Sequence, residues 1–397
     1  MMPGPLKGIK ILGFTHFAQA PFALQLLGDM GADVINIERP RTGDFNRSFL
    51  ATDKLGGEGP FFLAMNRNKR SMTLDLKKPE SKQIVYDLIK ECDVVMSNYR
   101  PGVIDKLGIG FEDGKKVNDQ IIYCEALGYG SSGPYSNLPG QDLLAQSMSG
   151  YTWMVGPKGP PMTGGIYVVD MYSSMLMVSG VLAALVNKQN GGKAQKVEVN
   201  LLNSGIHLQS QEFGYFLNTG IQPERPGGHT GHPMQESPYG IYETKDGYMS
   251  LATNASDNIE WFAQALEIPE LPQLMPDKET MRRDRDKIYP VISSAIAKRT
   301  TDEWIEMFRA QGIWCAKVND YNDVVNDPQV IHNGIIQEID HPKAGKVRVI
   351  GSPIEFSETP CKITRRPPLL GEHNDEILGE LGYTPEQISE LKEKGIF

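Results

Sequence analysis

Short apolar runs alternate with helix-like stretches along the first 130 residues. Four runs are typical of buried strands, namely 8–14 (GIKILGF), 32–38 (ADVINIE), 93–99 (DVVMSNY) and 120–130 (QIIYCEALGYG). Between them, 21–31 and 81–92 predict helices, the first opened by Pro21 and stopped by Gly31. Strands that alternate with helices of about ten residues predict right-handed βαβ units and a parallel sheet. The fold class predicted is α/β.

The middle of the chain predicts two helices and a further strand. A helix-like run over 141–155 is followed by a loop rich in proline and glycine, and a second helix ends at the "NGG" of 190–192. Residues 195–202 (QKVEVNLL) alternate as a strand does. Within the second helix, 175–186 is free of charge, but these twelve residues are too few to cross a bilayer, which takes roughly 20.

The composition becomes polar and rich in proline and glycine over 218–238, which predicts a linker or a binding loop. Beyond it the pattern predicts a smaller unit that starts with a hairpin, whose turn is at 245–247. Thr300 to Glu303 form a capping-box pattern. Near the end, Thr384 followed by Pro385 predicts a last helix that stops at Gly395.

Length and charge narrow the function classes. The 397 residues are enough for two domains or for one large domain with an insertion. With 40% hydrophobic and 22% charged residues, the composition is that of a soluble globular protein. The net charge of -9 argues against general affinity for nucleic acid or acidic membranes. The dispersed cysteines (Cys92, Cys124, Cys315, Cys361) and the lack of a secretory signal predict reduced thiols and a cytoplasmic protein.

Common cofactor and metal motifs are missing from the sequence. Glu38 lies where a dinucleotide-binding fold places its ribose ligand, but the first strand-to-helix turn lacks G-x-G-x-x-G. No P-loop, HExxH or GxSxG pattern occurs. His229 and His232 lack a third ligand at convincing spacing, so we expect structural or substrate-facing histidines rather than a metal site.

Basic residues follow several predicted strands. Arg39 and Arg41 come after the second strand, Arg100 after the strand at 93–99, and the segment 66–71 (NRNKRS) carries three more cations. Ligands of parallel sheets collect outside the carboxyl ends of the strands. These cations predict a phosphate-bearing ligand, although solvated surface charges would give the same spacing.

Asp170 is the only acid between 163 and 188 and stands where the apolar helix begins. One interpretation is an N-cap that accepts hydrogen bonds from first-turn amides. The other is a reacting group, which a helix N-terminus would hold ionised. Small residues nearby would allow a bulky substrate to approach, namely Gly164, Gly165, Ser173 and Ser174. The residue pattern alone leaves both interpretations open.

Several ordered motifs resemble the class III CoA-transferases, the family of formyl-CoA:oxalate and carnitine CoA-transferases, whose fold is shared with the α-methylacyl-CoA racemases. The matching segments cover essentially the whole chain: LKGIKILGFTHFAQAPFALQLLGDMGADVINIERPRTGDFNR, NKRSMTLDLKKPE, DVVMSNYRPGVIDKLGIG, GYGSSGPYSNLPGQDLLAQSMSG, DMYSSMLMVSGVLAALVNKQNGGKAQKVEVNLL and RRPPLLGEHNDEILGELGY. The resemblance implies transfer of CoA from an acyl-CoA to a free carboxylic acid, through an aspartyl-CoA thioester on Asp170.

The resemblance also implies the binding residues. The CoA positions are Ala18, Gln19, Arg39, Leu74, Asp75, Lys77, Asn98, Tyr99, Arg100 and Lys106. Gln141, Asp142 and the glycine-rich stretch Gly227, Gly228, His229 and Gly231 match positions around the nucleophile and the closing loop. The family's HVQAGP reads HFAQAP here, which displaces its glutamine by one position to Gln19. Backbone amides at the helix start and in the glycine loop would stabilise oxyanions.

The resemblance further implies an interlocked homodimer without a metal or a tightly bound cofactor. A large Rossmann-like domain would comprise 1–225 and 325–397, and a small domain 226–324. Aromatic and apolar residues near the nucleophile suggest an apolar acid, unless they belong to the core: Tyr129, Trp153, Tyr167 and Met171.

A racemase of the same fold is the main alternative. Racemases need a histidine base in a "GHD" motif and a nearby glutamate. The motif reads Gly140-Gln141-Asp142 here, and Asn254 and Ala255 stand where the glutamate is expected. The sequence therefore favours the transferase, and the third possibility is an acyl-CoA-binding protein in which Asp170 only caps a helix.

Overall fold

A computed structural model gives the fold, and it describes residues 4–228 and 231–397. The strands are β1 Lys10–Phe14, β2 Asp33–Glu38, β3 Lys69–Thr73, β4 Val94–Ser97, β5 Ile122–Leu127, β6 Gln195–Asn200, β7 Gly240–Glu243, β8 Tyr248–Leu251, β9 Cys315–Lys317, β10 Ile336–His341 and β11 Gly345–Ile350. The helices up to β7 are α1 Gln19–Asp29, α2 Pro60–Met65, α3 Pro79–Glu91, α4 Val103–Lys106, α5 Phe111–Val117, α6 Asp142–Met148, α7 Tyr151–Met154, α8 Val168–Gln189, α9 Leu201–His207 and α10 Ser210–Thr219. The later helices are α11 Ile259–Leu266, α12 Leu271–Leu274, α13 Lys278–Arg283, α14 Arg285–Ile296, α15 Thr301–Ala310, α16 Tyr321–Asn326, α17 Pro328–Asn333, α18 Asn374–Glu380 and α19 Pro385–Glu393.

Six strands form one parallel sheet in the order β3-β2-β1-β4-β5-β6. In its centre Leu12 is paired with Ile35 of β2 on one side and with Val95 of β4 on the other. This is the strand order of doubly wound nucleotide-binding folds, in which the ligand crevice lies between β1 and β4. The predicted α/β class and parallel sheet are confirmed.

Apolar side chains cover both faces of the sheet. One cluster joins Leu12 and Val95 to Leu88 of α3 and also includes side chains of α18 and α19. The other cluster joins Ile11 to Leu24 of α1 and Val181 of α8. Adjacent residues of β1 therefore point to opposite layers, as the two-residue period of a strand requires.

Helix α8 is longer than its uncharged stretch suggests. It has 22 residues, so by length and composition alone it could cross a membrane, and the argument from twelve apolar residues is wrong. In its apolar window, 44% of the residues are buried within the protein. Met177, Val178, Val181 and Leu185 pack in the same cluster as α1 and the central strands, so α8 is a core helix of this unit.

The chain divides into two compact units. The first contains Met1–Ala145, Tyr167–Leu208 and Pro328–Phe397, and the second contains Gln146–Ile166 and Gln209–Asp327. Compared with the predicted domains, this division places 146–166 and 209–225 in the second unit. The second unit has an antiparallel sheet β7-β8-β9 and a core around Trp304 and Phe308. The capping box predicted at Thr300 is present, and Thr384 caps the last helix as predicted, there also as part of a capping box.

Candidate active site at the start of helix α8

Asp170 is the third residue of α8 and does not cap it. The N-cap is Tyr167, whose side chain makes no capping hydrogen bond. Asp170 itself is half-buried, while Val169 before it is fully buried. The N-cap interpretation of Asp170 is therefore wrong, because Asp170 belongs to the first turn of the helix and does not precede it.

Asp142, at the start of α6, provides the cap instead. Its Oδ1 accepts hydrogen bonds from the backbone N–H groups of Val169 (2.9 Å) and Asp170 (3.0 Å). Only 3% of Asp142 is exposed, so the contact is shielded from water. A carboxylate at a helix N-terminus satisfies amides that have no partner within the helix. The cap comes from a residue 28 positions earlier in the sequence.

Two glycines bring Asp142 into this position. Gly128 follows β5 and Gly140 precedes α6. A Cβ added at Gly140 would lie 2.4 Å from the Cα of Gly128, and one added at Gly128 would lie 2.6 Å from the Cα of Gly140. The two backbones therefore pass each other at a distance that no side chain permits, and this close approach holds the start of α6 against the end of β5.

Two serines fix the backbone of Asp170 from the other side. Ser173 and Ser174 are fully buried, and their hydroxyls donate to the carbonyl oxygen of Asp170 at 2.9 and 2.7 Å. The Oγ of Ser174 is also 2.5 Å from the carbonyl oxygen of Gln19. Ser174 thereby joins α8 to the start of α1. Both serines are buried and do not line an open pocket, contrary to their predicted role.

The environment of Asp170 makes its carboxyl unusually basic. Burial, and to a lesser extent the negative charge of Asp142, raises the pKa of Asp170 from 3.8 to about 7. The prediction that the helix start keeps this carboxylate ionised is wrong, because burial and the charge of Asp142 both raise its pKa. Asp142 also occupies the amides of Val169 and Asp170. The same occupancy removes these two amides as donors to an oxyanion.

Exposed cations follow the carboxyl ends of three strands of the parallel sheet, two on one side of β1 and one on the other. Arg39 follows β2, Lys77 follows β3 and Arg100 follows β4. Lys106 is the last residue of α4, the helix that comes after β4 in the chain. No ion pair among the described residues includes any of these four. Four unpaired cations on a net acidic chain favour binding of an anionic group such as a phosphate at this edge.

The cations of the segment 66–71 have a different role. Arg67 pairs with Asp29 at 2.6 Å, and Arg70 pairs with Asp33 at 2.5 Å, with both arginines almost fully buried. The Nζ of Lys69 donates to two backbone carbonyls and to Asn66, and burial lowers its pKa to about 7. These three cations hold β3 against its neighbours, so the predicted phosphate contact does not extend to them.

His16 and Asn98 bridge the crevice between β1 and β4. The backbone N–H of His16 donates to Asn98 Oδ1 (3.0 Å), and Asn98 Nδ2 donates to the His16 carbonyl (2.7 Å). The rings of His16 and Tyr99 lie 5.5 Å apart. Burial and the charge of Arg39 lower the pKa of His16. The predicted residues Asn98, Tyr99 and Arg39 therefore share one neighbourhood, to which the structure adds His16.

The remaining predicted CoA positions differ in accessibility. Leu74 is 2% exposed and packs in the core, and Ala18 is also buried. Gln19 is buried with its Nε2 lacking a hydrogen-bond partner among the described residues. Asp75 is half-buried, and its backbone N–H donates to the carbonyl oxygen of Ile396 near the chain end. Of these positions, Gln19 has an unused polar atom.

Glu38 is not free to bind a ribose. Its carboxylate pairs with Arg47 (2.7 Å) and accepts hydrogen bonds from Ser71 Oγ (2.6 Å) and the backbone of Asp44. The dinucleotide interpretation therefore loses its acidic residue as well as its glycine motif.

Comparison with known proteins identifies the family. Residues 6–374 match the model of CoA-transferase family III, which is most of the chain. The chain belongs to CoA-transferase family III. Its α/β sheet and its extent agree with that membership, and it is a class III CoA-transferase that acts on acyl-CoA and carboxylic acids.

Named relatives of this transferase share its full length. The succinyl-CoA:glutarate CoA-transferase of Homo sapiens is 33% identical, covering 99% of this chain and 90% of the human protein. The formyl-CoA:oxalate CoA-transferase of Streptomyces avermitilis is 30% identical, covering all of both chains. A CAIB/BAIF family protein from Brucella suis has a similar solved structure, with a TM-score of 0.84 at 28% identity, covering 96% of this chain and all of the other.

The glycine-rich stretch of the transferase lies in its second unit. The backbone N–H of Gly227 donates to Asp286 (2.8 Å), and His232 contacts Glu212 (2.6 Å) through Nε2. Gly228 and Gly231 flank His229, which lies outside the described residues. Over the described residues, no group of three His, Cys, Asp or Glu side chains could hold a metal ion.

The positions that a racemase would use carry no base in this transferase. Gln141 is exposed. The side chain of Asn254 is engaged in the second unit, where it donates to Gly312 and accepts from the backbone of Trp314, and Ala255 is buried. Two features were not predicted from the sequence, namely the capping by Asp142 and the bridge at His16. The position of His16 in the turn between β1 and α1 could have indicated the second.

Proposed function

We propose that this enzyme moves CoA from an acyl-CoA donor to a free carboxylic acid through a thioester on Asp170. The observation that carries the proposal is the half-buried Asp170, positioned by Asp142 and by two buried serines. Family membership supports CoA transfer, and the isolated, basic carboxylate at the start of α8 supports a covalent route.

The proposed cycle uses the carboxylate twice. A carboxylate oxygen of Asp170 attacks the thioester carbonyl carbon and the carbon–sulfur bond breaks. CoA leaves as a thiolate, and a mixed anhydride between Asp170 and the donor acid remains. The thiolate then attacks the aspartyl carbonyl, which releases the donor acid as a carboxylate and leaves an aspartyl-CoA thioester. The acceptor carboxylate repeats both steps in reverse order. Charge is conserved throughout, so the cycle needs no net proton transfer.

The raised pKa of Asp170 favours productive use of the anhydride. CoA thiolate can attack either carbonyl, and the less basic carboxylate is the better leaving group. The Asp170 carboxyl, with a pKa raised to about 7, leaves less readily than an ordinary acid, whose pKa is about 4. Attack at the aspartyl carbonyl therefore dominates over simple return to the starting thioester. The cost is that Asp170 is only partly ionised near neutral pH.

The unpaired cations would bind the CoA phosphates. Arg39, Lys77, Arg100 and Lys106 provide positive charge at the edge of the sheet, while Asn98 and Tyr99 would contact the ligand at the crevice beside His16. We also propose a homodimer. Exposed apolar residues on α8, such as Met175 and Val186, support an interface on this helix.

Trapping with hydroxylamine tests the covalent route. The enzyme is incubated with acyl-CoA and hydroxylamine, and the peptide 163–188 is analysed by mass spectrometry. We expect a hydroxamate on Asp170, with loss of activity, and none in Asp170→Asn. Full CoA exchange by Asp170→Asn, or α-proton exchange with solvent in the absence of CoA transfer, would contradict the proposal.

A further inference from the structure

Five aromatic side chains of the first unit form a continuous line of ring contacts, which we term the aromatic strip. Ring centroids lie 5.2 Å apart for Phe17 and Phe45, 5.3 Å for Phe45 and Phe49, 5.5 Å for Phe49 and Phe61, and 6.5 Å for Phe61 and Tyr167. These separations are those of interacting aromatic pairs. The strip is therefore one connected apolar surface.

Much of this surface faces outwards. Phe17 is 48% exposed, Phe45 is 52% exposed and Tyr167 is 46% exposed. Single exposed apolar residues are common on proteins, but contiguous exposed aromatic rings mark a binding surface.

The backbone at Phe17 supports a role in binding. Phe17 has a φ of 64°, in the left-handed region that aromatic residues rarely adopt. Its N–H contacts Asp44 Oδ1 (3.4 Å) and its carbonyl accepts from Asn46 Nδ2 (2.7 Å). Such a conformation costs on the order of 1 kcal/mol or more, and persists where the surroundings impose it. The result is a phenylalanine ring that is held out of the core.

Both ends of the aromatic strip meet the proposed site. At one end, Tyr167 is the N-cap residue of α8, one turn before Asp170. At the other end, the ring of Phe17 lies 5.0 Å from that of His16, which bridges to Asn98. The strip thus joins the nucleophile to the edge where CoA would bind.

We propose that the aromatic strip binds the apolar carbon chain of the acyl group, whether it arrives on CoA or as the acceptor acid. This rests on the proposed function, since it places the acyl carbonyl at Asp170 and lets the chain extend from Tyr167 towards Phe61 and Phe49. The favoured substrates are monocarboxylic acids with an apolar chain of medium length.

The charges around the strip argue against a second carboxylate on that chain. Asp44, whose backbone and side chain hold the turn at Phe45, is an acid that is 4% exposed. Within the described part of the first unit, the cation–ring contacts are made to Phe62, Tyr86, Phe111 and Phe397, none of which belongs to the strip. A dicarboxylic acyl group would bring its distal charge to rings that make no contact with a cation within the described part of the first unit.

The exposed area fits a small molecule better than a protein. Three half-exposed rings present about 300 Å² in total, because an aromatic side chain buries roughly 200 Å² when covered completely. A stable protein interface takes about 800 Å² per partner. The strip is also one ring wide, which matches a linear chain.

Binding of CoA thioethers tests the proposal without any chemistry. S-alkyl-CoA compounds with methyl, butyl and hexyl chains are titrated calorimetrically against the intact enzyme, together with an S-carboxyalkyl-CoA of matched length. We expect affinity to rise about twofold or more per methylene, below the about fourfold limit for full burial. The carboxyalkyl compound is expected to bind at least about tenfold more weakly than its alkyl counterpart, because its charge is left unpaired.

Variants assign this dependence to the strip. Phe61→Ala and Phe49→Ala should weaken binding of the hexyl compound about tenfold and leave the methyl compound within about twofold, because only the longer chain extends along these rings. Phe49→Leu should restore most of the loss caused by Phe49→Ala. Tyr321→Ala, at a side chain that is 85% exposed in the second unit, is the control and should change neither affinity.

Three outcomes would overturn the proposal. These are an affinity independent of chain length, an equal loss for the methyl and hexyl compounds, and tighter binding of the carboxyalkyl compound. A change in oligomeric state with unchanged chain-length dependence would assign the strip to contacts between copies. Failure of the proposed function is a separate result, since Asp170→Asn should keep the chain-length dependence even if no hydroxamate forms on the wild-type enzyme.

Discussion

The substitution Asp142→Asn separates the two effects of Asp142 on the nucleophile. An asparagine Oδ1 can still accept hydrogen bonds from the N–H groups of Val169 and Asp170, so the start of α8 should stay capped. The negative charge, however, is lost. We expect the pKa of Asp170 to fall, because a neighbouring anion no longer opposes its ionisation.

The magnitude follows from the two causes of the shift. The pKa of Asp170 is raised from 3.8 to about 7, with desolvation as the larger cause and Asp142 as the second. Because desolvation is the larger cause, the charge accounts for less than half of a shift of roughly three units, which is at most about 1.5 units.

The pH dependence of kcat/KM measures this change. In the proposed mechanism Asp170 attacks as a carboxylate, so kcat/KM should rise through its pKa with increasing pH. In the wild type the midpoint of the acidic limb is expected near pH 7, and in Asp142→Asn about 1 unit lower. Asp113→Asn, which removes an acid paired with Lys116 on α5, is the matched control and should leave the limb in place.

A second variant tests the cap itself. Asp142→Ala removes the acceptor as well as the charge, so we expect a loss of about 1 kcal/mol in the free energy of unfolding together with lower kcat at every pH. If the acidic limb of Asp142→Asn stayed within about 0.3 units of the wild type, or moved to higher pH, the assigned influence of Asp142 on Asp170 would be refuted.

Three further predictions concern binding, packing and stability. Arg39→Ala and Arg100→Ala should each raise KM for acyl-CoA about tenfold at low salt, with kcat nearly unchanged in steady-state assays. Gly140→Ala should lower the free energy of unfolding by about 1–3 kcal/mol because its Cβ meets backbone, whereas Gly214→Ala in an open helix position should not. Asp170→Asn should raise Tm at pH 8, and the gain should vanish towards pH 4, because the ionised carboxylate destabilises the fold only where the pH exceeds 3.8 and fully above about 7. Denaturation curves at several pH values check the last two.

Local patterns in the sequence were enough to predict the sheet. The strand at 93–99 and the hairpin turn at 245–247 depend on neighbouring residues, and both are present as β4 and as the turn between β7 and β8. Resemblance supplied the family and Asp170. Pattern reading also predicted Pro21 as the start of α1, whereas the helix begins two residues earlier at Gln19, because Pro21 fits the first turn as well.

Features that depend on distant residues were not predictable from local patterns. The cap of α8 comes from Asp142. The local pattern allowed Asp170 to be the cap only because Asp170 is the acid nearest the helix start in the sequence. Likewise, no residue next to Arg67 or Arg70 in the sequence indicates that these two arginines are buried whereas Arg39 is exposed. Their burial depends on Asp29 and Asp33, which are supplied by α1 and β2.

In the proposed mechanism, the distribution of charge in the first unit keeps the cations that would bind CoA apart from the nucleophile. A cation beside Asp170 would lower its pKa and make it a weaker base and a better leaving group in the anhydride. The causes of its pKa shift are instead burial and the acid Asp142. The exposed cations Arg39, Lys77 and Arg100 are at the ends of β2, β3 and β4. An enzyme that must hold a highly charged ligand and still attack with a basic carboxylate requires this separation, and Asp142 reinforces it because it fills the helix amides that would otherwise stabilise the Asp170 anion.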